Sequence, residues 1–338
     1  MPDVGTDFLR SVCAEHRKRT MRKKITIVGA GQTGATLAHW LAERGDVDIV
    51  LFDIVEGMPQ GKALDLLEAM PIIGSDAKIT GTNSWGETAG SDIVVITSGL
   101  PRKPGMSRDD LLKVNAGIVR DVTRAVVKES PNSILILLTN PLDAMCHIAL
   151  QESGFPAHRV FGQAGILDTA RFRAFLAMET GASVADVNAY VLGGHGDDMV
   201  PLVGSTNIAG IPIASLIAPA RLEEIVTRAR KGGGEIVALL KTGSAFYAPS
   251  AALAQMIDSV LNDRKRVLPC AVYTGSNEGG YNVHNLYLGL PARLGAKGVE
   301  EIVSIALTEE ENIALQKSAA SVQELVDALK GFDPPLLS

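Results

Sequence analysis

The chain has 338 residues, of which 46% are hydrophobic and 21% charged, and its formal net charge at pH 7 is −6. This length exceeds what a single hydrophobic core usually supports, so two domains are expected. The negative balance gives no general reason to expect nucleic-acid binding. Cys13, Cys146 and Cys270 are far apart in the sequence and include no CxxC pair. This cysteine usage favours a reducing compartment and argues against a structural zinc site.

Two segments bear on where the protein is located. Residues 1–20 end in a basic cluster but contain no long apolar core, so they are interpreted as an extension or tail rather than a signal peptide. Residues 199–220 carry no charge over 22 positions, which is long enough to span a bilayer. However, three prolines and several small polar residues interrupt that run, and no basic flank anchors it. We therefore predict a cytoplasmic protein without a membrane span.

Six short apolar runs in the first half of the chain predict β-strands, because each is rich in Ile and Val and bounded by Gly, Asp or Pro. They are KITIVGA (24–30), DIVLFDI (48–54), AKITGT (77–82), DIVVITSG (92–99), SILILLTN (133–140) and RVFG (159–162). Helical stretches separate them, as in ATLAHWLAERG, where Leu37, Trp40 and Leu41 have helical spacing. This alternation predicts an α/β fold with a doubly wound parallel sheet covered on both faces.

The pattern of predicted elements changes beyond about residue 163, where helical stretches become longer and strands fewer. We therefore predict a dinucleotide-binding type of domain over residues 21–163 and a mixed α+β domain over residues 164–338. The segment KGGGE (231–235) is expected to separate two helices, because each glycine costs about 1 kcal/mol in a helix interior.

The first predicted strand leads into VGAGQTGATLA, in which Gly29, Gly31 and Gly34 form a GxGxxG frame. A frame that follows a strand and opens a helix is the dinucleotide fingerprint, with roles for a tight turn, close approach of a pyrophosphate and helix packing. Asp53 ends the second strand 19 positions after Gly34. A carboxylate there accepts hydrogen bonds from a ribose 2′-hydroxyl and repels a 2′-phosphate, so NAD is favoured over NADP.

Polar residues follow two further strands of the predicted sheet. Asn140 ends ILILLTN before a proline, and GLPRKPGMSRDD (99–110) leaves the strand DIVVITS with Arg102, Lys103 and Arg108. The carboxyl ends of parallel strands form the ligand crevice of such sheets. We therefore expect Asn140 beside the cofactor and the loop after residue 99 folding over it.

A third motif, GILDTARFRAF (165–175), contains a charged pair at helical spacing. Asp168 and Arg171 are three residues apart and share a helix face, whereas Arg173 should point elsewhere. From this segment alone, a surface salt bridge that contributes only a few tenths of a kcal/mol is the favoured explanation.

A fourth motif, YVLGGHGDDMVP, places His195 between glycines after an apolar run. The other histidines are weaker candidates for a functional role, since His39 and His147, for example, fit helix surfaces. Pairing with Asp197 or Asp198 would give His195 a purely structural role, and no ligand-spaced partner indicates a metal. The flanking glycines nevertheless leave the imidazole accessible to a bound substrate.

Together, five motifs resemble those of the NAD-dependent malate and lactate dehydrogenases, and most closely the lactate-dehydrogenase-like branch of the malate enzymes. They are VGAGQTG, GLPRKPGMSRDDLLKVN, LTNPLD, GQAGILDTARFR and GGHGDDMVP, in that order. The resemblance extends from Lys24 to about residue 330.

The resemblance implies a role for each polar residue of these motifs. His195 is the general acid/base for the substrate hydroxyl, and Asp168 bonds its other nitrogen. Arg171 holds the substrate's C1 carboxylate, while Arg108 polarises the C2 carbonyl. Arg102 occupies the loop position that reads the third substituent, where lactate dehydrogenases typically have glutamine. An arginine there implies a dicarboxylate, (S)-malate or oxaloacetate, as in the citric acid cycle, with the loop acting as a lid.

The same resemblance assigns further binding residues. The cofactor-binding positions are Gly29, Gly31, Gln32, Thr33, Gly34, Asp53, Asn115, Leu138, Thr139 and Asn140. Asn140 also matches a substrate contact, and Ser244 in KTGSAFYAP aligns with a wall of the substrate pocket. EGMPQGKALDLLEAM (56–70), with Leu64 and Leu67, resembles a helix that packs between subunits, which implies a homodimer or homotetramer; ordinary core packing is the alternative.

Other functions remain open from the sequence. A lactate or other 2-hydroxy-acid dehydrogenase is disfavoured by Arg102. The NAD-dependent glycosidase branch normally needs a metal-binding Cys/His pair that is not evident. A catalytically silent dinucleotide-binding protein would not be expected to keep His195, Asp168, Arg171 and Arg108 together. No nucleic-acid, membrane or metal partner is predicted.

Overall fold

The computed structural model of the chain describes residues 22–101, 105–332 and 334–337. The expectations for residues 1–20 and for Arg102 and Lys103 lie outside the described residues.

The six predicted strands of the first half are confirmed. They are β1 (Lys23–Val28), β2 (Val47–Phe52), β3 (Lys78–Thr82), β4 (Ile93–Ile96), β5 (Ile134–Leu137) and β6 (Val160–Gly162). Four helices connect them: α1 (Gln32–Ala42), α2 (Met58–Ile73), α3 (Arg108–Glu129) and α4 (Leu142–Ser153). Strands β4 and β5 are buried at every position, as expected when helices cover both faces of a parallel sheet.

The second half begins with helix α5 (Gly165–Thr180) and continues into short strands. These are β7 (Val187–Asn188), β8 (Val191–Leu192), β9 (Val200–Pro201), β10 (Asn207–Ile208) and β11 (Ile211–Pro212). Two helices follow, α6 (Pro219–Leu240) and α7 (Tyr247–Leu261). Three longer strands, β12 (Arg266–Tyr273), β13 (Tyr287–Gly295) and β14 (Gly298–Ile302), precede the last helix, α8 (Glu309–Gly331).

The main sheet has nine strands in the order β14-β13-β12-β6-β5-β4-β1-β2-β3. The six strands from β6 to β3 pair in parallel, in the order typical of dinucleotide-binding sheets. Strands β12 to β14 extend the same sheet with antiparallel pairs. The sequence did not indicate this extension, because β12 to β14 join the sheet only through contacts between distant parts of the chain.

Helices pack in two groups on this sheet. Helix α1 contacts α2 and α7, whereas α3, α4 and α8 contact one another. A large apolar cluster fills the space between sheet and helices, with Ile25, Leu37 and Tyr287 among its fully buried members. A second cluster, including Phe172 and Ile213, lies around α5, α6 and the short strands. This packing of two groups of helices on one sheet agrees with the predicted doubly wound fold class.

Two expectations about helices are wrong. Helix α6 runs without a break from Pro219 to Leu240, so the glycines of 231–235 do not separate two helices. Gly232 is buried there, against the side chain of Arg171. His147 lies in the core rather than on a helix surface, and its Nε2 accepts a hydrogen bond from the Tyr287 backbone N–H at 3.1 Å. Burial and the nearby charge of Lys330 lower the pKa of His147 to about 4.

Residues 199–220 form β9 to β11 and the first turn of α6, rather than one continuous helix. None of the helices in the described ranges combines the length and apolar character needed to cross a membrane.

Candidate active site

The order of the parallel strands reverses between β1 and β4, which lie side by side in the sheet. A crevice for ligands forms beyond the carboxyl ends of strands at such a switch point. The glycine turn that follows β1 and the segment that follows β4 therefore face the same site.

Each glycine of the fingerprint meets a different steric condition. Gly29 has a left-handed φ of 112°, and a Cβ there would stand 2.6 Å from the Thr97 Oγ1 atom. A Cβ on Gly34 would overlap the Gly29 carbonyl oxygen, so this glycine allows the helix to pack against the turn. A Cβ on Gly31 would meet no atom within 4 Å. Gly31 therefore leaves open space beside the turn, which the close approach of a pyrophosphate would require.

Helix α1 begins at Gln32, and its N-cap residue Gly31 makes no side-chain capping bond. The first N–H groups of the helix, including those of Gln32 and Thr33, are left to an anionic ligand, which a helix N-terminus favours. Ser250 on α7 donates a hydrogen bond to the Thr33 carbonyl at 2.9 Å, which links the second half of the chain to this turn.

Asp53 follows β2 and lies beside the glycine turn. Its Oδ2 atom accepts a hydrogen bond from the Ala30 N–H at 2.7 Å, and Oδ1 accepts from the Val55 N–H at 3.0 Å. These bonds fix the half-buried carboxylate in place. An ionised carboxylate has about four acceptor positions, so Asp53 keeps capacity for ribose hydroxyls.

Asn115 and the segment 138–140 lie on the other side of the crevice. The Asn115 amide donates to the carbonyls of Leu100, at 3.1 Å, and Asn140, at 2.7 Å, and its oxygen accepts from the Leu100 N–H. Thr139 is buried and donates to the Ser98 carbonyl at 2.6 Å, while Leu138 is half-buried and Asn140 is exposed. Asn115 therefore joins the segments after β4 and β5, and its contact with a cofactor stays a prediction.

Asp168 brings the two predicted substrate residues together. Its Oδ2 atom is 2.9 Å from His195 Nδ1, and its Oδ1 atom accepts from Arg171 Nη1 at 3.2 Å. The Asp168 side chain is only 4% exposed, so this is a buried charge network rather than a surface salt bridge. An ionised carboxylate only accepts, so His195 carries its proton on Nδ1 and leaves Nε2 free for chemistry. Asp197 and Asp198, the alternative partners, are exposed.

The surroundings of His195 favour its protonated form. Burial of the imidazole lowers its pKa, but the charge of Asp168, the hydrogen bond to Asp168 and the charge of Asp143 act in the opposite direction. Arg171 lowers it slightly, and the net result is a pKa above the ordinary imidazole value. Such a group exchanges protons near neutral pH.

The backbone around His195 is tied to three other elements. Gly193 exchanges two backbone hydrogen bonds with Gly289 on β13. The Gly194 N–H donates to Ser318 Oγ on α8 at 2.9 Å, and the His195 N–H donates to Asp143 Oδ2 on α4 at 3.0 Å. Residues 193–195 are therefore held in place by two helices and one strand.

Asp143 also lies in this site, although its motif did not predict a functional role for it. Burial raises its pKa to about 6, opposed by the hydrogen bond from His195 and by the charge of that imidazole. A signal was present, since Asp143 is the one acidic residue in the mainly apolar segment LDAMCHIAL and lies three positions after Asn140. Its place beside His195 could not be read from the sequence, because 52 residues separate the two.

The structure does not bring all predicted residues into this cluster. Arg108 is exposed in the first turn of α3, behind the Ser107–Asp110 capping box, and forms no ion pair with any residue that the structure describes. Arg102 lies outside the described residues. Ser244 is exposed in the connection between α6 and α7, so its role depends on the resemblance. No group of three or more His, Cys, Asp or Glu within the described ranges is arranged to hold a metal ion.

Comparison with known proteins agrees with this geometry. The family model described as lactate/malate dehydrogenase, NAD binding domain, matches residues 23–162, and the model for the alpha/beta C-terminal domain of the same family matches residues 166–332. The malate dehydrogenase of Thermomicrobium roseum is 59% identical over 310 residues, covering 92% of this chain and 99% of that protein.

Two solved structures have nearly the same backbone. The malate dehydrogenase of Cryptosporidium parvum has a TM-score of 0.89 and 48% identity, covering 92% of this chain and 100% of that one. The lactate dehydrogenase of the same organism, complexed with lactic acid and nicotinamide adenine dinucleotide, has a TM-score of 0.89 and 40% identity, covering 93% and 99%. With both domain models matched over most of its length, and with relatives of this identity, this chain belongs to the lactate/malate dehydrogenase family.

Proposed function

We propose that this chain is an NAD-dependent malate dehydrogenase that interconverts (S)-malate and oxaloacetate. The observation that carries the proposal is the buried Asp168, which holds an imidazole and a guanidinium next to each other. Oxidising a 2-hydroxy acid requires both groups: a base for the hydroxyl proton and a cation for the adjacent carboxylate. The malate dehydrogenases to which the chain is 55–59% identical support the choice of substrate.

NAD fits the crevice between β1 and β4, where Gly31 leaves bare backbone and the N-terminus of α1 has no side-chain cap. When bound, NAD accepts a hydride from the substrate and, in reduced form, returns it. Asp53 would bind the adenosine ribose, and the first turn of α1 would bind the pyrophosphate.

His195 transfers the proton that accompanies the hydride. During malate oxidation its Nε2 takes the proton of the C2 hydroxyl, and during oxaloacetate reduction the imidazolium returns it. Asp168 holds the ring by Nδ1 and stabilises the charged form. Asn140, at the end of β5, would contact the substrate from the cofactor side.

Each cationic residue of the site would contact a different group of the substrate. Arg171 would bind the C1 carboxylate with its planar fork of donors, which matches a carboxylate in two parallel hydrogen bonds. Arg108, which is exposed in the first turn of α3, would polarise the C2 carbonyl once the segment between β4 and α3 folds over the site. Ser244 would contribute to the pocket wall.

In this proposal, Arg102 makes the enzyme specific for malate rather than lactate. The malate and lactate dehydrogenases of Cryptosporidium parvum share a TM-score of 0.89 with this chain, so the backbone alone does not distinguish the two substrates. An arginine at position 102 pairs the second carboxylate of a dicarboxylate, whereas the methyl group of pyruvate offers it no partner. A lactate dehydrogenase is therefore the less favoured alternative.

Three coarser properties belong to the same proposal. We assign residues 21–163 to cofactor binding and 164–338 to substrate binding and catalysis, a division supported by the two matched models. We also propose a cytoplasmic location, and the proposed reaction is one of the citric acid cycle. Cys146 and Cys270 are free and buried, as expected in a reducing compartment.

Self-association is also proposed, as a homodimer or homotetramer. Helix α2 exposes Leu64, Leu67, Ile72 and Ile73, which are 43–85% exposed. Adjacent apolar side chains of this size on one helix are unusual on a free surface and typical of subunit contacts.

The first prediction concerns the choice of cofactor. The unmodified enzyme should use NADH with a far higher kcat/KM than NADPH, because Asp53 would bind the ribose hydroxyl and repel a 2′-phosphate. Asp53→Ser should narrow this preference by about ten- to a hundredfold, mainly through KM, since hydrogen bonds to charged groups contribute about 1.5–3 kcal/mol. Asp53→Asn keeps an acceptor for the Ala30 N–H and so isolates the effect of charge. Equal kcat/KM for both cofactors in the unmodified enzyme would refute the assignment.

The second prediction concerns the choice of substrate. Arg102→Gln should lower kcat/KM for oxaloacetate by roughly a hundred- to several-thousandfold, because it removes two charged hydrogen bonds worth about 3–5 kcal/mol together. The same change should leave pyruvate unchanged or raise its kcat/KM slightly. Steady-state oxidation of NADH by both substrates measures this.

Arg108→Gln is the control for that comparison, since it should slow both substrates by weakening carbonyl polarisation. If Arg102→Gln lowers kcat/KM for oxaloacetate and pyruvate by the same factor, Arg102 does not read the second carboxylate and the dicarboxylate assignment fails.

The third prediction concerns subunit contacts. Light scattering should give the unmodified chain about two or four times its mass of 35.6 kDa. Replacing both Leu64 and Leu67 with Glu should reduce this mass, because buried carboxylates would face apolar surface. Ile313→Glu, a change of another exposed apolar residue on α8, should not. A monomeric unmodified chain, or a double variant of unchanged mass, would rule out the α2 interface.

A further inference from the structure

Three consecutive glycines lie inside the continuous helix α6, at positions 232–234. Each glycine in a helix interior costs about 1 kcal/mol relative to alanine. All three lie at least six residues from either end of α6, so the C-cap use of glycine does not explain them. At the first two positions, the space that the missing side chain leaves is occupied by another residue.

That space is filled by Arg171 of the neighbouring helix α5. A Cβ on Gly232 would stand 3.1 Å from Arg171 Cδ and 3.5 Å from Nε. A Cβ on Gly233 would stand 3.6 Å from Nη2, an ordinary contact, and one on Gly234 would meet nothing within 4 Å. Gly232 is buried and Gly234 exposed. The side chain of Arg171 therefore lies along bare backbone at the first two glycines.

Arg171 has little freedom to avoid an added methyl group. Its side chain is 15% exposed, and its Nη1 atom is held by Asp168, which also holds His195. A methyl group at 232 would require a shift of a few tenths of an ångström in the stem of Arg171. The guanidinium would move with it, relative to an imidazole that the same carboxylate fixes.

We infer that Gly232 and Gly233 are positioning residues for Arg171: the backbone of α6 without side chains sets where the guanidinium meets the carboxylate of a 2-oxo acid. This inference depends on the proposed role of Arg171 in binding that carboxylate. Helix α6 is thereby a wall of the substrate site, although it contributes no functional side chain at these positions.

Three matched variants test this: Gly232→Ala, Gly233→Ala and Gly234→Ala, each of which adds one methyl group to the same helix. Gly232→Ala should lower kcat/KM for oxaloacetate and for pyruvate by the same factor of about ten, through a higher KM. Both substrates carry the C1 carboxylate, and a small misplacement of the guanidinium that binds it lowers the rate strongly. Gly233→Ala should have a smaller effect of the same kind, about two- to threefold, and serves if Gly232→Ala does not fold. Gly234→Ala should match the unmodified enzyme.

NADH binding, measured by its fluorescence, should change less than about twofold in all three variants, which separates a local shift of Arg171 from general damage. Equal effects of the three substitutions would mean that the glycines provide helix flexibility, and would overturn the inference. So would an unchanged KM in both Gly232→Ala and Gly233→Ala.

Arg171→Lys distinguishes this inference from the proposed function. If Arg171→Lys raises KM for both substrates while Gly232→Ala has no effect, only the positioning role is wrong. If Arg171→Lys leaves both unchanged, the carboxylate-binding role of Arg171 is itself wrong. When Gly232→Ala is combined with Arg171→Lys, it should raise KM by a smaller factor than it does alone, because lysine has no planar fork of donors to misalign.

Discussion

The buried carboxylate of Asp168 is the centre of the candidate active site. One of its oxygens orients the imidazole of His195 and the other holds the guanidinium of Arg171. A buried carboxylate is stable only when such partners compensate its lost hydration, so the three groups depend on one another. The imidazole of His195 and the guanidinium of Arg171 therefore keep a fixed spacing, which suits the proposed substrates, since they carry a hydroxyl beside a carboxylate.

The fold supplies the rigidity that this network needs. Helix α5 presents Asp168 and Arg171 one turn apart, and Thr169 accepts a hydrogen bond from the Val191 N–H of β8, which leads into the His195 loop. That loop is fixed in turn by α4, β13 and α8. Because α4 starts directly after β5, the same contacts place His195 next to the carboxyl ends of the parallel strands, where the cofactor crevice lies. His195 and the proposed cofactor crevice thus lie at the same edge of the sheet.

Local patterns in the sequence predicted the parallel half of the fold, and distant contacts account for what they missed. Strands β1 to β6 are visible as Ile- and Val-rich runs, and the glycine fingerprint is visible because its spacing is local. Helix propensity predicted a break at Gly232 because it does not register that Arg171 fills the vacant space. His147 was expected at a surface for a similar reason, since the strand that covers it, β13, is 140 residues away. The choice between Asp168 and Asp197 as partner of His195 also required the folded chain, and the motifs resolved it only through resemblance to a family.

The pH dependence of kcat/KM for oxaloacetate reduction, compared between the unmodified enzyme and Asp168→Asn, tests the role of Asp168 most directly. Reduction requires protonated His195, so kcat/KM should fall as the pH rises through the pKa of this residue, which Asp168 helps to hold above the ordinary value of 6.5. In Asp168→Asn the fall should move to lower pH, and kcat/KM should drop by about a hundredfold or more. Asp197→Asn removes an exposed carboxylate two residues from His195 and should leave the profile unchanged. An Asp168→Asn profile that falls at the same pH as that of the unmodified enzyme would show that Asp168 does not control the protonation of His195.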